Sequence, residues 1–207
     1  MRRLTLLLAA AAVGLAAGGV AIALALGTRG GRGGSAHYRG TIPPKGISLP
    51  AFALRDQRGR LVRSGALHGK AVAVTFLDTR CREACPIIAN RAADGIRLLG
   101  QDDRKSVAAY AITVDPMADT PSRARLFLRR HHAVGTLDYL VGPSASLPRV
   151  WRAFQVLSAV RTGNASIHSA PVRIYDRSGE WVSTLYPGVD LTPANLAHDL
   201  RAALAEG

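Results

Sequence analysis

Residues 71–77, Ala-Val-Ala-Val-Thr-Phe-Leu, are apolar at odd and even positions alike. A strand of this kind belongs inside a sheet covered on both faces, so the chain must supply neighbouring strands and helices for either side. Directly after it comes Asp78-Thr79-Arg80-Cys81-Arg82-Glu83-Ala84-Cys85-Pro86, which holds the only two cysteines of the chain. Pro86 suits the first turn of a helix, where its missing N–H costs nothing, and residues 87–99 have the apolar spacing to continue one. The cysteines therefore fall at a strand-to-helix junction. Exposed helix N–H groups, with Arg80 and Arg82, are expected there to make at least one thiol more acidic than a free cysteine.

Two short strands around the turn Asp56-Gln57-Arg58-Gly59 precede the buried strand, and Leu67-His68-Gly69-Lys70 leads into it. After a charged turn at residues 101–105, a second apolar strand spans 107–114 and stops at Asp115-Pro116. Thr120-Pro121 opens a helix to about His131, with the Thr120 hydroxyl as its cap. Further elements are a strand at 137–141, a short helix at 147–154, a strand-turn-strand unit at 171–185 and a closing helix at 193–204. A hairpin, then βαβαβ, then a hairpin and a helix predicts an α/β domain, a central sheet with helices on its faces. Trp151 and Phe154 are expected in its core, and no internal repeat is present.

The amino terminus carries a different signal. Residues 4–26 follow Arg2-Arg3 without a charge and as a helix would span roughly 34 Å, enough to cross a bilayer. The alternative is a cleaved signal peptide, with Ala23-Leu24-Ala25 as the cleavage pattern, but the apolar stretch is longer than the usual signal core of about 7–15 residues. The expected organisation is an anchor or signal segment at 1–28, a flexible Gly- and Arg-rich linker at 29–46, and one domain at 47–207, exported to the extracytoplasmic side. The chain has 27 basic and 14 acidic residues. Setting aside Arg2 and Arg3 leaves 25 against 14, a net charge of +11. The basic residues are scattered and aromatics are few, which argues against nucleic acid and leaves anionic lipid, an acidic partner face or simply a solvated basic surface as the readings of this charge.

The domain resembles the Sco/SenC family of thioredoxin-fold, membrane-anchored copper chaperones for cytochrome c oxidase assembly. The residues that carry the resemblance are Leu49-Pro-x-Phe52-x-Leu54-x-Asp56 with Gly59, Gly69-Lys70, Cys81-x-x-x-Cys85-Pro86, Val114-Asp115-Pro116-x-x-Asp119-Thr120-Pro121, Trp151-x-x-Phe154, and His168-Ser169 before a strand. The resemblance implies a thioredoxin-like mixed sheet with an N-terminal hairpin extension and a single transmembrane helix. It further implies that Cys81, Cys85 and His168 bind copper, as Cu(I) or Cu(II), that the acceptor is a subunit of a respiratory oxidase, and that a thiol reductant protein serves the pair. The chain departs from the family pattern at Asp78, at Thr79-Arg80, at Arg82-Glu83-Ala84 between the cysteines, and at Ile167. None of these departures removes a ligand.

The chemistry supports the same set. Two thiolates and an imidazole are soft donors suited to Cu(I), whereas structural zinc wants a fourth protein ligand. Of the six histidines, only His168 lies in a loop that a thioredoxin-like fold would bring towards the cysteines. Asp115 is expected near the site, either supporting it or simply closing a turn. A disulfide between Cys81 and Cys85 competes with metal. As a purely structural bridge it would enclose three residues and restrain little of the unfolded chain. The alternative function is a thiol:disulfide oxidoreductase using Cys81 and Cys85 as a redox pair, which needs no His168. A thiol peroxidase fits poorly, because Phe76-Leu77-Asp78-Thr79 lacks the proline such sites place before the nucleophile.

Overall fold

A computed structural model describes residues 37–156 and 170–206. The segment 4–26 and His168 lie outside the described residues. Among the described residues, no helix is long and apolar enough to cross a membrane.

The buried run forms the strand β3 (Ala71–Leu77), every residue of which is buried. Before it, β1 (Ala53–Asp56) and β2 (Leu61–Arg63) make an antiparallel hairpin. After it come the helices α1 (Ala84–Arg97) and α2 (Gln101–Lys105), the strand β4 (Val107–Thr113), the helix α3 (Pro121–Arg130), the strand β5 (Asp138–Val141) and the helix α4 (Leu147–Ala153). The chain closes with β6 (Val172–Tyr175), β7 (Trp181–Leu185) and the helix α5 (Pro193–Ala205). These strands form one seven-stranded sheet in the order β2-β1-β5-β4-β3-β6-β7. The core strands β3, β4 and β5 are parallel, and β1 and β6 join them antiparallel. The charged turn expected at 101–105 is instead the short helix α2, with Asp102 and Asp103 in its first turn and Arg104 and Lys105 in its last. That charge order suits the helix dipole.

Alternation along β3 divides the core. Ala71, Ala73 and Leu77 pack with α1, α5 and the Phe127–Leu128 end of α3. Val72, Val74 and Phe76 face the other way, against Phe52, Leu54, Trp151 and Phe154. Thr120 caps α3 by accepting the N–H of Arg123, as expected.

Packing begins earlier than Ile47. Tyr38 is buried, Thr41 exchanges two backbone hydrogen bonds of 2.9 Å with Thr184, and Leu49 N–H donates to Gly179 O. This segment thus lies against β7, at one end of the strand order, and satisfies backbone groups that would otherwise form an open edge. Gly40 is required by the close approach, since a Cβ there would lie 2.4 Å from Ser183 Oγ and 2.6 Å from Thr184 O. The clamp is Asp199 of α5, fully buried, whose carboxylate accepts the N–H groups of Arg39 at 2.7 Å and Gly40 at 3.0 Å and the Ser183 hydroxyl at 2.6 Å. Asp199→Ala orphans these three donors and is expected to cost on the order of 2–4 kcal/mol. Urea unfolding measures this, and a midpoint equal to that of the wild type would remove the clamp.

Candidate functional site

The parallel strands β3, β4 and β5 end on the same edge of the sheet, where ligands gather in open α/β folds. The loops leaving β3 and β4 carry Cys81 and Asp115 respectively, and they meet there. Asp115 thus lies beside the cysteine loop, as expected.

The loop after β3 is held by its own backbone and by buried carboxylates. Asp78, 2% exposed, accepts the N–H of Arg80 through Oδ1 at 2.7 Å, and its carbonyl accepts the N–H of Cys81 at 3.2 Å. Burial pushes the Asp78 carboxyl above the usual carboxylate range. Asp119, equally buried, accepts both the N–H and the hydroxyl of Thr79 through Oδ1, at 3.0 and 2.6 Å. Its Oδ2 accepts from Thr113 Oγ1 at 2.6 Å and lies 2.7 Å from the Tyr139 hydroxyl, which also reaches Leu77 O at 2.8 Å. One carboxylate therefore links the ends of β3 and β4 and the middle of β5. Asp115 both closes its own turn, accepting the N–H groups of Met117 and Ala118, and pairs with the guanidinium of Arg80.

Helix α1 begins one residue before Cys85, so Cys85 sits in its first turn and Cys81 in the loop. Glu83, at the N-cap, makes no side-chain cap bond, and the Cys85 N–H is instead accepted by Cys81 Sγ at 3.4 Å. Sulfur thus takes a capping role at the helix start. Both cysteines are reduced, Cys81 half-buried and Cys85 fully buried. Burial, reinforced by a hydrogen bond between the two thiols, pushes the Cys85 thiol well above the ordinary range, while a backbone hydrogen bond with Asp78 acts the other way. The acidity expected of this junction is therefore not found at Cys85, because apolar packing against α1 and β3 outweighs the helix dipole there. Arg80 directs its charge at Asp115 and Asp78.

Among the described residues, no group of three or more His, Cys, Asp and Glu side chains is arranged to hold a metal. The structure brings together Cys81 and Cys85, and His168 lies outside the described residues. Of the other histidines, His68 precedes β3 at the far end of the sheet, and His131 follows α3 with its ring against Phe127, centroids 4.5 Å apart and planes tilted by 60°. Sequence reasoning missed the roles of Asp119, Thr113 and Tyr139. Two signals pointed to them. A tyrosine in a buried strand needs a partner for its hydroxyl, and Asp119 stands beside a cap already supplied by Thr120, which frees its carboxylate for other donors.

Two outcomes follow from this network. Asp119→Ala strips the Thr79 N–H and the Thr79 and Thr113 hydroxyls of their acceptor, while the Tyr139 hydroxyl keeps Leu77 O, so it should destabilise the chain by about 2–4 kcal/mol. It should also open the loop to iodoacetamide. In the wild type Cys81 is expected to react at least tenfold faster than Cys85, and in the variant the gap should close; mass spectrometry of the alkylated peptides reads both. Tyr139 supplies a pH test, because burial, then the charge and hydrogen bond of Asp119, raise its phenol well above the usual range. Above about pH 10 the unfolded chain releases the tyrosine proton and the folded chain keeps it, so the folded state loses up to about 1.4 kcal/mol per pH unit. Urea titrations in reductant between pH 9 and 11 should show a shallower fall for Tyr139→Phe than for the wild type, and equal slopes would contradict the burial.

Comparison with known proteins places this geometry. The SCO1/SenC family model matches residues 43–205. The SCO2-like protein RT0576 of Rickettsia typhi is 27% identical over 157 residues, covering 73% of this chain and 75% of its own. The copper-bound structure of Bradyrhizobium japonicum ScoI superposes with a TM-score of 0.64 at 30% identity, covering 75% of this chain and 98% of that one. BsSco, described as a Sco-family cytochrome c oxidase assembly protein with a disulfide switch, superposes with a TM-score of 0.67 at 22% identity over 81% of this chain and 99% of its own. Its likeness agrees with the mixed sheet flanked by helices expected of a thioredoxin-like Sco fold. With the family model matching residues 43–205, from the segment before β1 through the cysteine loop to α5, the chain belongs to the SCO1/SenC family.

Proposed function

We propose that this chain is a membrane-anchored copper-binding chaperone that holds copper through Cys81, Cys85 and His168 and hands it to a subunit of cytochrome c oxidase on the extracytoplasmic side. The observation that carries this reading is the thiol pair itself, two reduced cysteines in contact at the start of α1, one half-buried and one sealed into the core. Such a pair offers two soft donors of unequal accessibility, so cargo held by both can be exchanged at one. The ScoI of Bradyrhizobium japonicum supports the choice of metal, since its structure contains copper. The register of β6 supports the third ligand. Val74 pairs with Arg173, and Ala170 O accepts from Thr75 Oγ1 at 3.4 Å. The chain thus enters β6 beside the last residues of β3, and His168 precedes Ala170 by two positions in sequence.

In this reading Cys81 is the exchange point, where a thiolate of the acceptor displaces one ligand while Cys85 and His168 retain their hold. Both sulfurs must be reduced for loading, which assigns a thiol reductant protein as a second partner. The apolar segment 4–26 supplies the anchor.

A second reading draws on the same asymmetry. Cys81 could attack a partner disulfide, with buried Cys85 resolving the mixed disulfide, giving a thiol:disulfide oxidoreductase. His168 has no part in it. The two are separated by an anaerobic Cu(I) titration of the reduced full chain, kept in non-ionic detergent, against a competing chelator. One equivalent is expected to bind, and Cys81→Ser, Cys85→Ser and His168→Ala should each weaken it by well over tenfold, about 1.4 kcal/mol. Binding that is weak, or indifferent to His168, would move the assignment to the oxidoreductase.

A further inference from the structure

Between the cysteine loop and α3 lies an open cleft of about 270 Å³. One wall is Thr79 and Arg80, the two residues that lead into Cys81, and the other is the face of α3 bearing Arg123, Leu126 and Arg130. The spacing of Arg123, Leu126 and Arg130 is that of one helix face. Phe127 and the His131 ring tilted against it complete the lining.

Three arginines line this cleft, and their charges are unevenly met. Arg80 pairs with Asp115 and lies 3.9 Å from Asp78. Arg123 donates one N–H to the carbonyl of Ala118 at 3.3 Å, and neither it nor Arg130 has a carboxylate partner among the described residues. The buried acid just before α3, Asp119, is already used by Thr79, Thr113 and Tyr139. The helix dipole accounts for a basic residue in the last turn, at Arg130, but not for Arg123 in the first turn, where positive charge opposes the dipole. Two arginines two turns apart on α3, without a carboxylate partner among the described residues and lining the same recess, match carboxylates spaced along an extended or helical peptide.

We propose that this cleft docks an acidic segment of the protein partner that meets Cys81. The inference rests on the transfer reading above in one respect, that a partner chain must come to Cys81; the cleft shares the Thr79-Arg80-Cys81 loop, so a segment seated in it brings its own chain to the sulfur. The recess favours side-chain carboxylates over a lipid surface, because the basic groups face one another across a cleft walled by Leu126 and Phe127 instead of lying on one plane. Charge complementarity of this kind acts chiefly on the rate of encounter and is weakened by salt.

The test uses the full chain in non-ionic detergent and a fluorescent octaglutamate peptide, with binding followed by anisotropy. Arg123→Glu with Arg130→Glu is expected to weaken binding at least tenfold. Arg149→Glu with Arg152→Glu, exposed residues of α4 that make the same change in net charge, should leave it within twofold. Arg123→Gln with Arg130→Gln, which adds no negative charge, should give an intermediate loss. Equal losses in both Glu pairs would mean that bulk charge alone attracts the peptide and would overturn the proposal, as would no loss in either. If the α3 pair abolishes sedimentation with phosphatidylglycerol vesicles and leaves peptide binding intact, the cleft serves a lipid surface and the proposal also falls. Cu(I) titration of the same variants keeps the two readings apart. The α3 pair should bind Cu(I) as the wild type does, so a wild type that fails to bind Cu(I) condemns the transfer reading, while the peptide comparison alone decides the docking cleft.

Discussion

The cysteine loop depends on one buried carboxylate. The loop of six residues between β3 and α1, 78–83, has few apolar contacts of its own, and without an anchor its backbone N–H groups would be met by water. Asp119 replaces that water for Thr79 and reaches back to Thr113 and Tyr139, so the loop is fixed to three adjacent strands through a single group. Burying a carboxyl group is costly unless it is hydrogen-bonded, and Thr79, Thr113 and Tyr139 supply the partners that offset the cost here. The arrangement also explains the order of residues after β4. Asp115 turns the chain and holds Arg80, Thr120 caps α3, and Asp119 between them is left facing the cysteine loop. Loop and helix are thereby set side by side, with Cys81 at the rim.

From that anchor the two thiols acquire different characters. Cys85 is drawn into the core by α1, whose buried face of Ile88, Ala89, Ala92 and Ile96 packs on β3 and α5. Cys81 stays at the surface because the loop, tied down at Thr79, rises before the helix begins. Position in the sequence makes the pair look symmetrical, two cysteines at one helix start, but burial decides the matter. The dipole and nearby arginines favour a thiolate by amounts of order 1 kcal/mol each at exposed sites. Full removal of Cys85 from water works against them, and Arg80 spends its charge on Asp115 and Asp78.

Much of this fold was legible in residues whose alternatives are physically poor. A run like Ala71–Leu77 has no stable home outside a covered sheet, Pro86 and Pro121 start helices because they cannot continue them, and Thr120 before a proline has a clear capping role. Trp151 and Phe154 read as core and are core, at 6% and 1% exposure. The packing of residues 38–49 was not legible, because it rests on backbone hydrogen bonds to β7 and on a distant Asp199, and neither leaves a period in a stretch broken by Gly40, Pro43, Pro44 and Gly46. The helix at Gln101–Lys105 was hidden for a related reason: it buries nothing, so no apolar pattern marks it. At the site, the cysteines declared themselves by type and spacing, whereas the inversion of Cys85 acidity depends on how deeply a neighbouring helix is seated, which only tertiary packing sets.

That inversion bears on how a soft metal would be taken up. A thiol kept protonated by burial must give up its proton when a cation replaces it, so uptake at such a pair releases protons and strengthens as pH rises. The half-buried sulfur is then the natural first contact and last release, and the sealed one adds hold only after the proton has gone. The same order suits exchange with a partner's thiol, since attack has to come at the sulfur that solvent and partner can reach. Under either the copper or the disulfide reading, selectivity for a partner therefore rests on what surrounds Cys81. In this chain that surrounding is Arg80 on the loop and the basic face of α3 across from it, a pattern set by the residues between the family's motifs as much as by the motifs themselves.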